Sequence, residues 1–224
     1  KVPDHGTVGI IGGTGSGKST VLHLLNHMYD ASKGKVLIYG KDVRSYKEKE
    51  LTKIVGLVPQ RGVLFHGSIR DNIRFGREDI TDDMIATAVH AAQADNVIES
   101  KEHGLDEEIL QDARNLSGGQ RQRLMIARAL AGQPKILVLD DSASALDVAT
   151  DAALRKAIRG LPWHPTTFIV SQRASSVMEA DQILVMEDGC IVGKGKHEDL
   201  LRDNAIYQEI YYSQFPKDEK EQNS

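Results

Sequence analysis

The sequence predicts an α/β fold, in which a parallel-sheet core is interrupted by a helical insertion and then completed. Three observations predict it. Aliphatic runs alternate with stretches of helical periodicity at both ends of the chain, the pattern of β-α-β units. No β-rich run appears between about residues 61 and 131. The first aliphatic run opens into a glycine-rich turn and then directly into a helical pattern.

The elements follow in order. Residues 7–12 read Thr-Val-Gly-Ile-Ile-Gly, a buried strand. In residues 18–29, Val21, Leu22, Leu24, Leu25 and Met28 fall at helical spacing. Residues 36–39 and 54–58 read as further strands, the second closed by Pro59. Thr81 followed by Asp82 and Asp83 is a helix start, because acids in a first turn complement the helix dipole. Ile85, Ala88, Val89 and Ala92 form that helix's apolar stripe. Another helix starts near Ser117, runs through Leu124, Ala127 and Leu130, and stops at Gly132 and Pro134. Strands return at residues 136–140, 166–170 and 182–186, with helices over 148–159 and 205–213. The expected division is a core of residues 1–60 and 132–215, a helical subdomain of residues 61–131, and a disordered charged tail at 216–224.

Composition narrows the function classes. Of 224 residues, 40% are hydrophobic and 27% charged, which excludes disorder, collagen and coiled coil for the whole chain. The net charge of −4 is too weak and mixed to argue for a nucleic-acid partner. The single cysteine, Cys190, excludes an internal disulfide and is expected as a small core residue. Aliphatic runs reach four residues at 136–139 and 183–186, whereas a spanning helix needs roughly 18. The sequence starts at Lys1 rather than Met and enters an apolar run almost at once, so a fragment is expected.

Two segments carry phosphate chemistry. Gly12, Gly13, Thr14, Gly15, Ser16, Gly17, Lys18 and Ser19, followed by Thr20, match the P-loop pattern GxxxxGK[ST] between a strand and a helix. Glycines let the backbone wrap close to a phosphate chain, and bare amides at a helix start face its oxygens. Lys18 is expected to reach the β- and γ-phosphates of ATP, and Ser19 to offer its hydroxyl to Mg²⁺. The aliphatic run 136–139 delivers Asp140 where ligands sit in open α/β sheets, as a further Mg²⁺ ligand. No Asn-Lys-x-Asp occurs to read guanine.

Leu116, Ser117, Gly118, Gly119 and Gln120 contain a capping box, with Ser117 and Gln120 satisfying each other's backbone amides. The box does not explain two consecutive glycines in a first helical turn. They make sense where a ligand approaches the backbone of a helix N-terminus.

The order of P-loop, Gln60 after a strand, LSGGQ, the strand ending in Asp140, and Ser144-Ala-Leu-Asp147 resembles the nucleotide-binding domain of an ATP-binding cassette (ABC) transporter. The resemblance covers nearly the whole chain. It implies a RecA-like P-loop NTPase core with an inserted signature subdomain. It also implies a head-to-tail pair of such domains, with each ATP held between one P-loop and the other domain's LSGGQ. Gln60 then contacts Mg²⁺ and the attacking water and couples to a transmembrane partner, and Asp147 works across the dimer interface. The stretch Val63-Leu-Phe-His-Gly-Ser-Ile-Arg-Asp-Asn-Ile73 resembles the exporter branch, in which a membrane domain precedes this one in the same chain, at the cytoplasmic face of the cell membrane.

Departures from that pattern sharpen the reading. Asp141 stands where the family places a catalytic glutamate, one methylene shorter. Gln172 stands where it places a switch histidine, and an amide cannot carry a positive charge. Together they resemble the degenerate-site subunit of a heterodimeric multidrug exporter, turning ATP over slowly at its own site while its LSGGQ completes the partner's. Homodimeric or importer-type ATPases, or a non-hydrolysing regulatory module, are the alternatives. No aromatic residue precedes Gly12 to stack on adenine, and the two leading strands of the family's fold are absent, so the resemblance implies a truncated N-terminal β-subdomain; Ile109-Leu-Gln-Asp-Ala-Arg114 departs from the acidic segment exporters carry before LSGGQ. His23 and His27, at i and i+4, lack a third metal ligand, Trp163 reads as a loop anchor, and Arg121, Arg123 and Arg128 read as a solvated helix face with one interface arginine.

Overall fold

Alternation along buried strands sorts their side chains onto two faces of one sheet. The computed structural model describes residues 1–142 and 144–216. Its strands are β1 (Thr7–Gly12), β2 (Leu37–Ile38), β3 (Lys41–Asp42), β4 (Val55–Val58), β5 (Gly67–Ser68), β6 (Glu108–Ile109), β7 (Ile136–Asp140), β8 (Thr166–Ser171), β9 (Gln182–Glu187) and β10 (Cys190–Gly195). Its helices are α1 (Lys18–Leu25), α2 (Glu48–Ile54), α3 (Ile69–Arg74), α4 (Asp82–Ala91), α5 (Asp95–Glu99), α6 (Gly118–Ala131), α7 (Val148–Arg159), α8 (Ala174–Val177), α9 (His197–Asp203) and α10 (Ala205–Gln214).

Six strands form the main sheet in the order β10-β9-β1-β8-β7-β4, parallel except for β10. On one face Val8, Ile10, Val138, Val170 and Met186 pack with Leu22 of α1 and Leu51 of α2. On the other, Ile11, Leu137, Leu139, Ile169, Ile183 and Val185 join a cluster that continues through α4, α6, α7 and α10. A sheet covered on both faces has near-continuous aliphatic strands, as these do.

The segment between β4 and β7 is mainly helical. Thr81 caps α4 by accepting the Met84 N–H, and Ile85, Ala88 and Val89 of the stripe are buried against α6. The helix α6 begins in the expected capping box and closes at Gly132.

Several expectations change. The strand at 36–39 shrinks to two residues that pair antiparallel with β3, off the main sheet. Tyr39 and Gly40, at φ 49° and 79°, turn the chain back too soon for a longer strand. Ile54 ends α2 instead of starting β4. The stretch 61–131 contains one small ladder, β5 with β6. The helix over 18–29 stops at Leu25, where the Asn26 amide donates to Leu22 O at 2.9 Å, and Met28 and Tyr29 are exposed. Cys190 is exposed rather than core, because β10 is an antiparallel edge strand. The expected disordered tail, apart from Pro216, lies outside the described residues.

Arg123 and Arg128 are not solvated. Arg123 donates to Gln93 O and Asn96 Oδ1, each at 2.7 Å, fastening α6 to the α4–α5 turn. Arg128 donates to Asn72 O, Val63 O and Asn72 Oδ1 at 2.7, 2.8 and 2.8 Å. Its guanidinium also lies 4.7 Å from the Phe75 ring centroid, and Phe75 stacks on Phe65. Burial pulls its pKa down to about 10. Lysine has no planar fork to serve three acceptors. The variant Arg128→Lys should therefore lose about 1–3 kcal/mol of stability. Urea unfolding would read this as a lower midpoint at constant slope, and an unchanged midpoint would refute the clamp.

Candidate functional site

The turn from β1 to α1 closes because Gly12 carries no side chain. A Cβ there would run into the Met186 carbonyl oxygen and Ser16 Oγ. Gly17 adopts φ 94° at the N-cap of α1, a conformation that favours glycine. The β9–β10 turn presses on the same loop, where Gly189 N–H donates to Ser16 O at 3.1 Å. Lys18 is buried and folds back over the loop, donating to Gly12 O at 2.8 Å, Gly13 O at 2.7 Å and Ser16 Oγ at 3.3 Å. Burial lowers its pKa, while the charges of Asp141 and Asp140 oppose that shift.

Parallel strands deliver the other groups from their C-terminal ends, where ligand sites form in open α/β sheets. The strand β7 ends in Asp140, Gln60 follows β4, and Gln172 follows β8. The backbone turns sharply at Asp141, which has φ 47° and donates its N–H to Val170 O at 2.8 Å. Aspartate tolerates this left-handed conformation better than most residues. Gln60 Nε2 donates to Asp141 Oδ2 at 3.1 Å. The Asp140 carboxyl is pushed up, first by burial and then by the Asp141 charge, against the lowering effects of His23 and Lys18.

Thr14, Gly15, Lys18, Ser19, Gln60, Asp140, Asp141 and Gln172, with Val170 and Ser171, line one cavity of about 150 Å³. Gly12, Gly13, Ser16 and Gly17 shape the loop behind it, while Thr20 is exposed on α1 outside the lining. Leu116, Ser117, Gly118, Gly119, Gln120 and Asp147 take no part in this lining.

Those residues occupy an adjoining surface. Ser117 Oγ accepts from Gln120 N–H at 3.2 Å, and Ser117 N–H donates to Gln120 Oε1 at 2.9 Å. Leu116 is buried as an anchor, whereas Ser117 and Gly118 are exposed. A Cβ on Gly118 meets nothing within 4 Å, and one on Gly119 would sit 3.2 Å from Ala145 O. The start of α6 thus abuts the segment leading to Asp147. Asp147 is the N-cap of α7, accepting from Thr150 N–H at 2.9 Å and Thr150 Oγ1 at 2.7 Å. Those bonds hold its carboxyl below the usual range.

Sequence reasoning missed two contributors. Gly189 supports the P-loop, and Gln214 bonds the loop that carries Gln172. Neither sits in a local motif, so no signal short of the fold would have found them. His23 and His27 point to different partners: His23 packs edge-on to Tyr29, and His27 bonds Asp30.

Both the sequence and the fold are matched among known proteins. A family profile described as "ABC transporter" matches residues 1–144. The chain is 43% identical over 215 residues to the uncharacterized ABC transporter ATP-binding protein YfiB of Bacillus subtilis, covering 96% of this chain and 37% of that protein. It is 42% identical over 201 residues to the beta-(1→2)glucan export ATP-binding/permease protein NdvA of Rhizobium johnstonii, covering 90% of this chain and 34% of that one. Among solved structures, a bacterial Atm1-family ABC exporter with ATP bound superposes with a TM-score of 0.89 at 35% identity, over 95% of this chain and 38% of its own. The chain therefore spans roughly a third of the length of these relatives. Replacing the α7 cap, Asp147→Ala, should cost about 1 kcal/mol of stability, and Asp147→Asn much less. Thermal melts of the two variants that coincide would refute the capping role.

Proposed function

We propose, from the premise that this chain belongs to the ABC transporter family, that it is the ATP-binding and ATPase domain of an exporter, working at the cytoplasmic face of a membrane. One observation carries the reading: a single cavity gathers Lys18, Ser19, Gln60, Asp140, Asp141 and Gln172, while LSGGQ faces outward beside Asp147. A site divided in this way is complete only when a second such domain brings its own signature to the cavity. No helix among the described residues is long and apolar enough to cross a membrane. By likeness to the fused ATP-binding/permease protein NdvA, the membrane-spanning part is assigned to a domain preceding this one in the full protein.

The chain divides, on this reading, into a core of residues 1–60 and 132–215 and a signature subdomain of residues 61–131. Where the two meet, a groove of about 970 Å³ is lined by Met28, Leu51, Phe75, Arg77 and Arg128 among others. Exposed Val63, Phe65 and Phe75 make its neighbourhood apolar, which suits a docking element of the membrane domain.

Within the cavity the loop amides and the α1 N-terminus would bind the phosphates. The Lys18 ammonium would swing from the Gly12 and Gly13 carbonyls to the β- and γ-phosphates. The donor set of Ser19, Gln60, Asp140 and Asp141 consists of hard oxygens, which fits Mg²⁺. Ser19, Asp140 and Gln60 would hold the ion, which when bound neutralises charge on the phosphate oxygens. Asp141 would orient the attacking water and accept its proton. It already accepts one hydrogen bond from Gln60 and lies a methylene further from the water than glutamate would. Gln172 would hydrogen-bond the γ-phosphate without offering positive charge. Both features support slow turnover at this chain's own site. The intact LSGGQ supports a competent site on a partner subunit of different sequence, one carrying Glu and His at the matching positions. A multidrug cargo is only what the exporter resemblance suggests.

Two measurements on the full-length transporter test this. The variant Lys18→Ala should abolish ATP binding at this site, read by photolabelling with an azido-ATP. With the partner's own ATP site disabled, the double variant Asp141→Glu with Gln172→His should raise turnover roughly tenfold or more. Turnover unchanged by the double variant would remove the degenerate-site reading. A wild-type chain that hydrolyses ATP without a different partner, on the order of 1 s⁻¹ or faster, would make it a homodimeric ATPase.

A further inference from the structure

The loop that presents Gln172 is held by a side chain from the far end of the fold. After β8 the chain runs through Ser171, Gln172 and Arg173 into α8. Ser171 is buried, and its Oγ accepts the Arg173 N–H at 3.0 Å, which tightens the turn locally. Gln172 itself is exposed at the cavity rim. The α8 N-cap residue, Arg173, provides no side-chain cap. The first N–H of α8, on fully buried Ala174, instead donates to Gln214 Oε1 at 2.9 Å. The same carboxamide donates through Nε2 to Gln172 O at 2.8 Å. One side chain therefore bonds the backbone on both sides of residue 173, across 40 positions of sequence.

The helix that supplies it is firmly seated. Asn204 caps α10 by accepting the Tyr207 N–H at 2.8 Å, and Tyr207 is fully buried. Gln208 Nε2 donates back to Leu201 O at 2.9 Å, and Ile210 and Tyr211 pack on the main core. On the opposite side the loop's continuation is fixed to α7, where Arg155 donates to Ser175 O at 2.7 Å. The 172–173 peptide is thus held at both ends, its N–H by Ser171 Oγ and its carbonyl by Gln214 Nε2, and Gln214 is the one of the two that comes from outside the loop.

We propose that Gln214 is a positioning residue for ATP turnover, orienting Gln172 towards the γ-phosphate by gripping its carbonyl and the Ala174 amide together. This rests on the ATPase reading above. The chemistry demands a carboxamide. Methionine matches its length and offers neither bond. Glutamate keeps the acceptor for Ala174 N–H but sets its second oxygen against the Gln172 carbonyl, two acceptors facing each other. Asparagine is a methylene too short to serve both.

The test uses the full-length transporter in liposomes with a partner subunit whose own P-loop has been disabled, so that turnover is read at this chain's site alone. The variants Gln214→Met and Gln214→Glu should each lower kcat about 3- to 10-fold with KM for ATP changed less than about 2-fold, the loss expected when an orienting bond is removed and ground-state binding is kept. In a Gln172→Ala background the same variants should have no further effect on kcat. Hydrogen exchange at residues 172–176 should rise in Gln214→Met whatever the activity, which reads the strap without reference to ATP. Equal losses in both backgrounds, a loss confined to thermal stability, or unaltered exchange would each overturn the assignment. If Gln214→Met does not fold, Gln214→Glu, which retains the Ala174 bond, carries the comparison. Wild-type turnover indifferent to Lys18→Ala would instead sink the ATPase reading, with the exchange result standing apart from it.

Discussion

The close approach of backbone at Gly12 and Gly17 is the constraint on which the site depends. The β1–α1 loop is squeezed between the Met186 carbonyl on one side and Gly189 on the other, and an ideal Cβ on Gly17 would sit 3.2 Å from Gly189 Cα. Side chains at these points would push β9 and its turn away from the loop. The Ser16 carbonyl would lose the Gly189 amide, and the perch of Lys18 on the Gly12 and Gly13 carbonyls would open. Every other cavity residue is positioned against this fixed edge, because β8 and β7 take their register from β1 in turn.

Strand ends in one sheet make the site compact. Gln60, Asp140 and Gln172 lie far apart in sequence and meet because β4, β7 and β8 are parallel neighbours that finish at the same level. The segment between β4 and β7 leaves and re-enters through adjacent strands, so it does not disturb that level. Arg123 then ties the first half of α6 to residues 93 and 96, and Arg128 ties its last turn to residues 63 and 72.

Much of this was legible in the sequence, for physical reasons that differ by element. The strands at 136–140 and 182–186 were readable because burial on both faces leaves only aliphatic residues. The P-loop and the capping box at Ser117 were readable because backbone geometry dictates residue type over a few positions. Short elements were not: α3 has six residues and β5 two, too few for periodicity to show. Cys190 was misassigned because an apolar-looking run does not reveal that its strand lies at an edge. Arg128 was misassigned because an arginine's partners are set by tertiary packing with residues 63–75. Gln214 left no trace for the same reason, since its two bonds reach backbone 40 residues away.

The pairing of β1 has a consequence for how the chain is made. Its neighbours are β8 and β9, with Val8 opposite Phe168 on one side and Gln182 on the other. On a ribosome the P-loop emerges well before its neighbours, and the strand beneath it finds no partner until residue 171 has been synthesised. Those 159 residues (171 − 12) take about 8 to 32 s at ordinary translation rates. Over that interval an aliphatic strand with two unpaired edges is exposed to the cell's chaperones. The phosphate cradle is then among the last features to form, so a nascent chain that can grip a nucleotide is one whose sheet has already closed.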